Sequence, residues 1–236
     1  MESLQEQTLL VLAPHPDDEV IGCGGLITKI KNSGGKVFVL FFTVGDTKDF
    51  SKRGISKAIE REKEVEDVSK FLRYDGYHIA FPGDKYHLKL DLLGQKALMD
   101  LIERESTVSI EKVKPTIVAF PLSTSYNQDH RTIAIATHAA LRPAQRSTKH
   151  FVLTVLSYEE PQDAWILRNQ PEPNFFVPLS KNEIDVKLSA LKLYKSQLRP
   201  LPNPRALETI KSSATLRGAQ CGSNFAEAFT AYRTIF

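Results

Sequence analysis

Five short apolar runs, each set off by segments of helical periodicity or turn residues, constrain most of what this chain can fold into. They are residues 8–12 (TLLVL), 36–43 (KVFVLFFT), 77–81 (YHIAF), 115–121 (PTIVAFP) and 151–158 (FVLTVLSY). The second and fourth have few polar breaks, the pattern of strands buried on both faces of a parallel sheet. After the first run, Leu26, Ile27 and Ile30 recur at helical spacing, and Asn32-Ser33-Gly34-Gly35 supplies a left-handed stop. Between 54 and 72, Ile55, Ile59, Val65, Val68 and Leu72 trace one stripe, and 90–105 and 130–141 also read as helices. The alternation predicts an α/β fold, a Rossmann-like, largely parallel sheet flanked by helices.

Past residue 158 the pattern loosens. Pro161, Pro171, Pro173 and Pro178 interrupt a loop-rich segment with room for a short strand over 175–177. Ser180-x-x-Glu183 opens a helix as a capping box, running to about Gln197. Pro200, Pro202 and Pro204 stiffen a connector, after which 205–217 and 224–233 read as helices. The 236 residues thus read as a single domain: a sheet core over 1–158 and an irregular, helical C-terminal extension over 159–236 packed on it.

Composition excludes several classes of function. The formal charge of +3 is small and dispersed, with no basic stripe interleaved with aromatics, so a nucleic-acid partner is not expected. Two cysteines, Cys23 and Cys221, point to a reducing compartment without a disulfide framework. The opening MESLQEQ is polar and acidic, unlike a signal peptide, and no apolar run approaches the ~20 residues of a membrane helix. A cytoplasmic protein without stable membrane insertion is the expectation, with self-association into a homo-oligomer left open.

The chemistry gathers in residues 13–25, APHPDDEVIGCGG, read as the loop between the first strand and its helix. Such a loop opens at the carboxyl edge of the sheet, where open α/β folds keep their ligands. It holds His15, Asp17, Asp18 and Glu19, with Pro14 and Pro16 fixing φ on either side of the histidine. Three adjacent carboxylates repel one another and are costly to desolvate unless a cation or hydrogen-bond donors compensate. A divalent metal held by His15 and Asp18 would do so, given a third ligand from another strand end. Of the six histidines His130 is best placed, in Asn127-Gln128-Asp129-His130-Arg131 after the fourth run, and Asp129 beside it could orient its imidazole. Glu19 reads as a first-turn carboxylate favoured by the helix dipole. Gly22-Cys23-Gly24-Gly25 with Asp46 invites a dinucleotide-binding reading, but the G-x-G-x-x-G spacing is missing and HPDD fills the tight turn. Cys23, His138 and His150 read as packing or surface residues.

HPDDE followed by GxGG, with a later DH at another strand end, resembles the LmbE-like/PIG-L family of zinc-dependent N-deacetylases. The similarity covers most of the chain: Arg61-x-x-Glu64 matches an R-x-x-E pair, 81–84 resembles a strand-end aspartate (Asp84), and Tyr194-Lys195-Ser196-Gln197 and Ala226-Glu227-Ala228-Phe229 resemble the tail. The resemblance implies zinc, or another divalent metal, on His15, Asp18 and His130, with Asp17 as general base. Arg61 and Asp84 then read as substrate contacts, together with His87 after the Asp84 loop. Many members carry a histidine where this chain has Asn127, assigned to stabilising the tetrahedral intermediate. An asparagine amide can donate to an oxyanion but cannot shuttle a proton, so His87 or His78 is the candidate for that role. The implied activity is removal of an acyl group, most simply acetyl, from an N-acylated amino sugar or its conjugate. A hydratase or other lyase using the same site, and a non-catalytic sugar- or metal-binding protein, are the alternatives.

Overall fold

β1 (Thr8–Ala13) runs through the middle of the molecule, and its side chains alternate between two cores. Leu9, Val11 and Ala13 face one and Leu10 and Leu12 the other, which is why the run carries no polar position after Thr8. The molecule is a computed structural model describing residues 4–48, 53–165 and 171–235. α1 (Asp18–Asn32) leads to β2 (Lys36–Val44), which ends at the small hairpin of β3 (Thr47–Lys48) and β4 (Ile55–Ser56). α2 (Ala58–Leu72) and β5 (Gly76–Pro82) follow. α3 (Gln95–Asp100), a π-turn at Leu101–Glu105 and the single turn α4 (Ile110–Val113) lead to β6 (Ile117–Pro121), α5 (Gln128–Ala140) and β7 (Thr154–Tyr158). The chain closes with β8 (Phe175–Leu179), α6 (Lys181–Leu191), α7 (Leu207–Gln220) and β9 (Phe225–Thr234).

The main sheet has the order β5-β2-β1-β6-β7-β9-β8. β5, β2, β1, β6 and β7 are parallel, while β9 is antiparallel to both β7 and β8. From β1 the chain builds outward through β2 to β5, then returns to β6 on the other side. β1 and β6 therefore flank the switch in direction, and the loops leaving their carboxyl ends part to form a crevice. α1, α2, α6 and α7 contribute to the core on one face of the sheet, and α3 and α5 to that on the other.

Four expectations are corrected. α1 begins at Asp18, so Asp18, Glu19 and the glycines lie in the helix and not in a loop before it. Ile59 is 76% exposed and Ile55 belongs to β4; the buried stripe of α2 is Arg61, Glu64, Val65, Val68 and Leu72, which puts two charged residues on the inner face. α6 stops at Leu191, with turns to Gln197. Residues 225–234 form a strand: Ala and Glu favour a helix locally, but a place between β7 and β8 buries Ala226, Glu227, Ala228 and Phe229 in succession.

The glycines of α1 have a packing reason. A Cβ at Gly22 would lie 2.4 Å from Cδ2 of Tyr158, and one at Gly25 2.4 Å from Cδ1 of Leu179. This bare face also admits polar groups from the tail: the buried Glu227 carboxylate accepts from the backbone N–H of Gly25 and Leu26, both at 2.7 Å. Lys187 pairs with Glu227 at 2.6 Å and donates to the Ile21 carbonyl at 2.7 Å.

Candidate active site

Between β1 and α1 the chain is tied by its own acids. The N–H of His15 donates to Asp18 Oδ2 at 2.8 Å, and the N–H of Asp17 donates to Glu19 Oε2 at 3.1 Å. Thr43 N–H donates to the Pro14 carbonyl at 3.0 Å and fixes the turn to β2. Asp17, the N-cap of α1, has φ +102°, a conformation that costs a non-glycine residue on the order of 1–3 kcal/mol. Both side chains are buried, yet they take different partners: Asp17 lies 3.7 Å from Arg205, and Asp18 lies between two histidines.

His15, Asp18 and His130 are all buried and offer ligand atoms within 4.8 Å of one another. Asp18 Oδ2 is 3.4 Å from His15 Nδ1 and 3.2 Å from His130 Nε2. The β1–α1 turn delivers His15, the first residue of α1 is Asp18, and the start of α5 brings His130 across the crevice. Asp129 holds His15 and not its neighbour His130: its Oδ2 accepts from His15 Nε2 at 3.0 Å, its Oδ1 from the Leu90 N–H at 2.9 Å. Successive helical residues point about 100° apart, so Asp129 and His130 cannot share a target. With Nε2 committed, His15 presents Nδ1 to a cation. The two-nitrogen, one-carboxylate set matches the donors of an open zinc site, with a carboxylate behind one imidazole. His130 Nδ1 is buried without a hydrogen-bond partner among the described residues.

Charges are strongly perturbed here. Burial opposes charge on His15, but Asp129 and Asp18 outweigh it and raise its pKa to about 9. Burial would also raise the pKa of Asp18, yet His130 and His15 hold it well below the usual carboxylate range. Burial lifts Asp17 to about 6 against the pull of Arg205, and lifts Glu19 to about 8 against hydrogen bonds from Tyr194 and Tyr74.

The triad lies in a cleft of about 470 Å³, counting the space open to solvent at its mouth. Asn127 lines it as the N-cap of α5; its Oδ1 accepts from the Asp129 N–H at 2.9 Å, so its amide NH2 is the group left to act. Arg61 is buried in the wall and donates to Thr47 Oγ1 at 2.9 Å and to His87 Nε2 at 3.1 Å. Because arginine only donates, Nε2 of His87 accepts, and its Nδ1–H donates to Thr43 Oγ1 at 3.1 Å. Burial, with the positive charges of His15 and Arg61, lowers His87 to about 3. Both its nitrogens are engaged within the wall of the cleft, by Thr43 on one side and by Thr47 and Arg61 on the other. His78 bonds Ser106 and does not line the cleft. Asp84 is exposed and outside the lining; its Oδ1 accepts from the Asp46 N–H at 2.6 Å.

Reading the sequence missed the contribution of the tail. Arg205 reaches the cleft from the proline-rich connector, and its Nη1 donates to Gln197 Oε1 at 2.9 Å. Gln197 donates to Ser196 Oγ at 2.9 Å, and Ser196 donates its N–H and Oγ–H to Glu64 at 2.7 and 2.6 Å. Gln162 and the half-exposed Tyr126 complete the mouth. No spacing rule marks Gln162 or Arg205; the available signals were the resemblance at 194–197, which includes Gln197, and the pair of charges on the inner stripe of α2.

The family model described as PIG-L: GlcNAc-PI de-N-acetylase matches residues 10–141, more than half of the chain. The chain belongs to the PIG-L family. Its relatives include the diacetylchitobiose deacetylase of Thermococcus kodakarensis, 29% identical over 199 residues, covering 80% of this chain and 69% of that one. The uncharacterized deacetylase YaiS of Escherichia coli (strain K12) is 26% identical over 190 residues, covering 80% and 90%. Among solved structures, the conserved protein TT1542 from Thermus thermophilus superposes with a TM-score of 0.72 at 25% identity, covering 98% of this chain and 96% of that one. The PIG-L match contains both halves of the His-Asp-His group, whereas Gln162, Gln197 and Arg205 lie beyond it.

Proposed function

We propose that this PIG-L protein is a metal-dependent N-deacetylase that hydrolyses the amide of an N-acetylated amino sugar or its conjugate. The observation that carries the reading is the convergence of His15, Asp18 and His130 at the sheet's switch point, with a separate carboxylate, Asp17, in the same cleft. His15 through Nδ1, Asp18 and His130 would hold the ion, zinc or another divalent metal. Such an ion supplies Lewis acidity, which makes water acidic enough to lose a proton near neutral pH. Asp17 takes that proton as the water attacks the amide carbonyl, its carboxylate being the one acid of the cleft left free of the ligand set. The Asn127 NH2 would donate to the developing oxyanion. Collapse of the tetrahedral species breaks the C–N bond, and Asp17 returns the proton to the amine, releasing acetate. Tyr126, Gln162 and Arg205 offer an aromatic face and hydrogen-bonding groups suited to a sugar at the mouth.

The relatives support the substrate class, since one is by name a diacetylchitobiose deacetylase. On this reading the tail, which supplies Gln197 and Arg205, and the sheet core form one domain. The substrate is a small molecule met in the cytoplasm, with no nucleic-acid partner. The test is an amine-release screen over N-acetylated sugars, sugar nucleotides and lipid-linked sugars, run beside metal analysis of the same protein. Release of acetate and amine in equal amounts, abolished by a chelator and restored by metal, is the expected result. Full metal loading with no amine released from any of them would overturn the reading in favour of a lyase or a binding protein.

A further inference from the structure

Glu19 is the acid of the motif to which the proposed chemistry gives no part, yet it is completely buried. A carboxylate serving only the helix dipole would face solvent. This one bends back across the first turn of α1, where its Oε2 accepts the Asp17 N–H at 3.1 Å. Its Oε1 accepts from the hydroxyls of Tyr74 at 3.1 Å and Tyr194 at 2.5 Å. Tyr74 follows the end of α2 and Tyr194 the end of α6, so two other segments hold one carboxylate in place. At the far end of this network stands a strained residue, the positive-φ Asp17. Strain of this kind persists only where the surroundings over-determine it.

We infer that Glu19 is a positioning residue: its carboxyl group, held by Tyr74 and Tyr194, locks the Asp17 backbone in the positive-φ conformation that aims the Asp17 side chain into the cleft. The inference rests on the reading of Asp17 as the base. It gives the acidic run a division of labour in which Asp18 holds metal, Asp17 moves the proton and Glu19 aims Asp17. It also places the tail in the chemistry, because Tyr194 lies beyond the segment the family model matches.

The test compares Glu19→Ala, Glu19→Gln, Asp17→Asn and the Glu19→Ala/Asp17→Asn double variant, reading metal content, kcat and KM for amine release. Glu19→Ala should keep one metal per chain and lose about tenfold or more in kcat with little change in KM, as misplacing a catalytic group does. Glu19→Gln should recover most of the loss, because its amide oxygen can accept from the Asp17 N–H while its NH2 donates to a tyrosine oxygen. In the Asp17→Asn background, Glu19→Ala should cost nothing further, since groups acting as a unit are not additive. A crystal structure of metal-loaded Glu19→Ala should show Asp17 out of its positive-φ conformation. Should Glu19→Ala fail to fold, Tyr194→Phe, which removes one donor, carries the same comparison with a smaller loss. Fully additive losses, or Asp17 unmoved with kcat unchanged, would overturn the inference. If the wild-type protein binds metal but releases no amine, the proposed function falls, and the conformation of Asp17 in the variant crystals still decides this point.

Discussion

At the scale of single residues, the site without metal is a proton store. The pKa of His15 near 9 means that its Nδ1 carries a proton at pH 7, held towards Asp18, and a cation must displace it. Metal binding at pH 7 should therefore release close to one proton per site, and apparent affinity should rise about tenfold per pH unit up to pH ~9. Calorimetry in buffers of different ionisation enthalpy measures both; proton release near zero would mean that His15 is already neutral. Asp17→Asn keeps the shape of the base but not its function, so kcat should fall ~10²-fold or more with metal retained. Loss of metal from Asp17→Asn but not from Asp18→Asn would exchange the roles of the two aspartates. On the proposed reading Asn127 has two jobs that its own atoms separate. Asn127→Asp keeps the oxygen that caps α5 and removes the amide donor, so thermal stability should hold while kcat falls by ~10²–10³ at similar KM.

At the scale of elements, α1 is the part that joins the two halves of the chain. Its first turn carries Asp18, and its glycine face receives Tyr158, Leu179, Lys187 and Glu227. Gly22→Ala drives a methyl into the Tyr158 ring and should destabilise by about 1–3 kcal/mol, the usual range for overpacking. Gly94, the N-cap of α3, where an added Cβ meets nothing within 4 Å, is the comparison: Gly94→Ala loses only the capping preference and should cost less than Gly22→Ala, at most about 1 kcal/mol. Urea unfolding of the two variants makes the comparison, and equal midpoints would show that the helix can shift away from the tail without penalty. The Gly-Cys-Gly-Gly run thus serves helix–sheet and helix–tail packing, which disposes of the dinucleotide reading on structural grounds.

At the scale of the whole molecule, the cleft is assembled from four regions: the β1–α1 turn, the wall of Thr47, Arg61 and His87 between β2 and α3, the start of α5, and a tail that returns through β9 to lie beside β7. His87 links this architecture to pH. Its imidazole titrates near 6.5 when unfolded and near 3 when folded, so its stabilising contribution is fully present above pH 6.5 and is lost as pH falls towards 3. Between pH 7.5 and 5 the metal-free wild type should lose more Tm than His87→Gln, because only the wild type has an unfolded state that gains this proton. Parallel Tm curves for the two would show that His87 is charged in the folded protein.

How much of this was legible in advance follows from range. The sequence by itself determined the parallel strands, because a strand buried on both faces must be apolar throughout, and the places of His15, Asp18 and His130, because loops after parallel strands open on one edge. It determined the α6 start through the Ser180–Glu183 box, which is a purely local hydrogen-bond pattern. Only the tertiary structure decided that 225–234 is a strand, since the pairing partners of β9 lie about 50 to 80 residues away and outweigh the helical preference of Ala and Glu. Only it decided that Asp129 serves His15, a matter of direction around a helix that adjacency in sequence conceals. Arg205 and Gln197 reach the cleft through a chain of side-chain bonds from Glu64, and Glu19 reaches Asp17 by folding back on its own turn. Contacts of that kind depend on where side chains point once the backbone has closed, which neither periodicity nor spacing encodes.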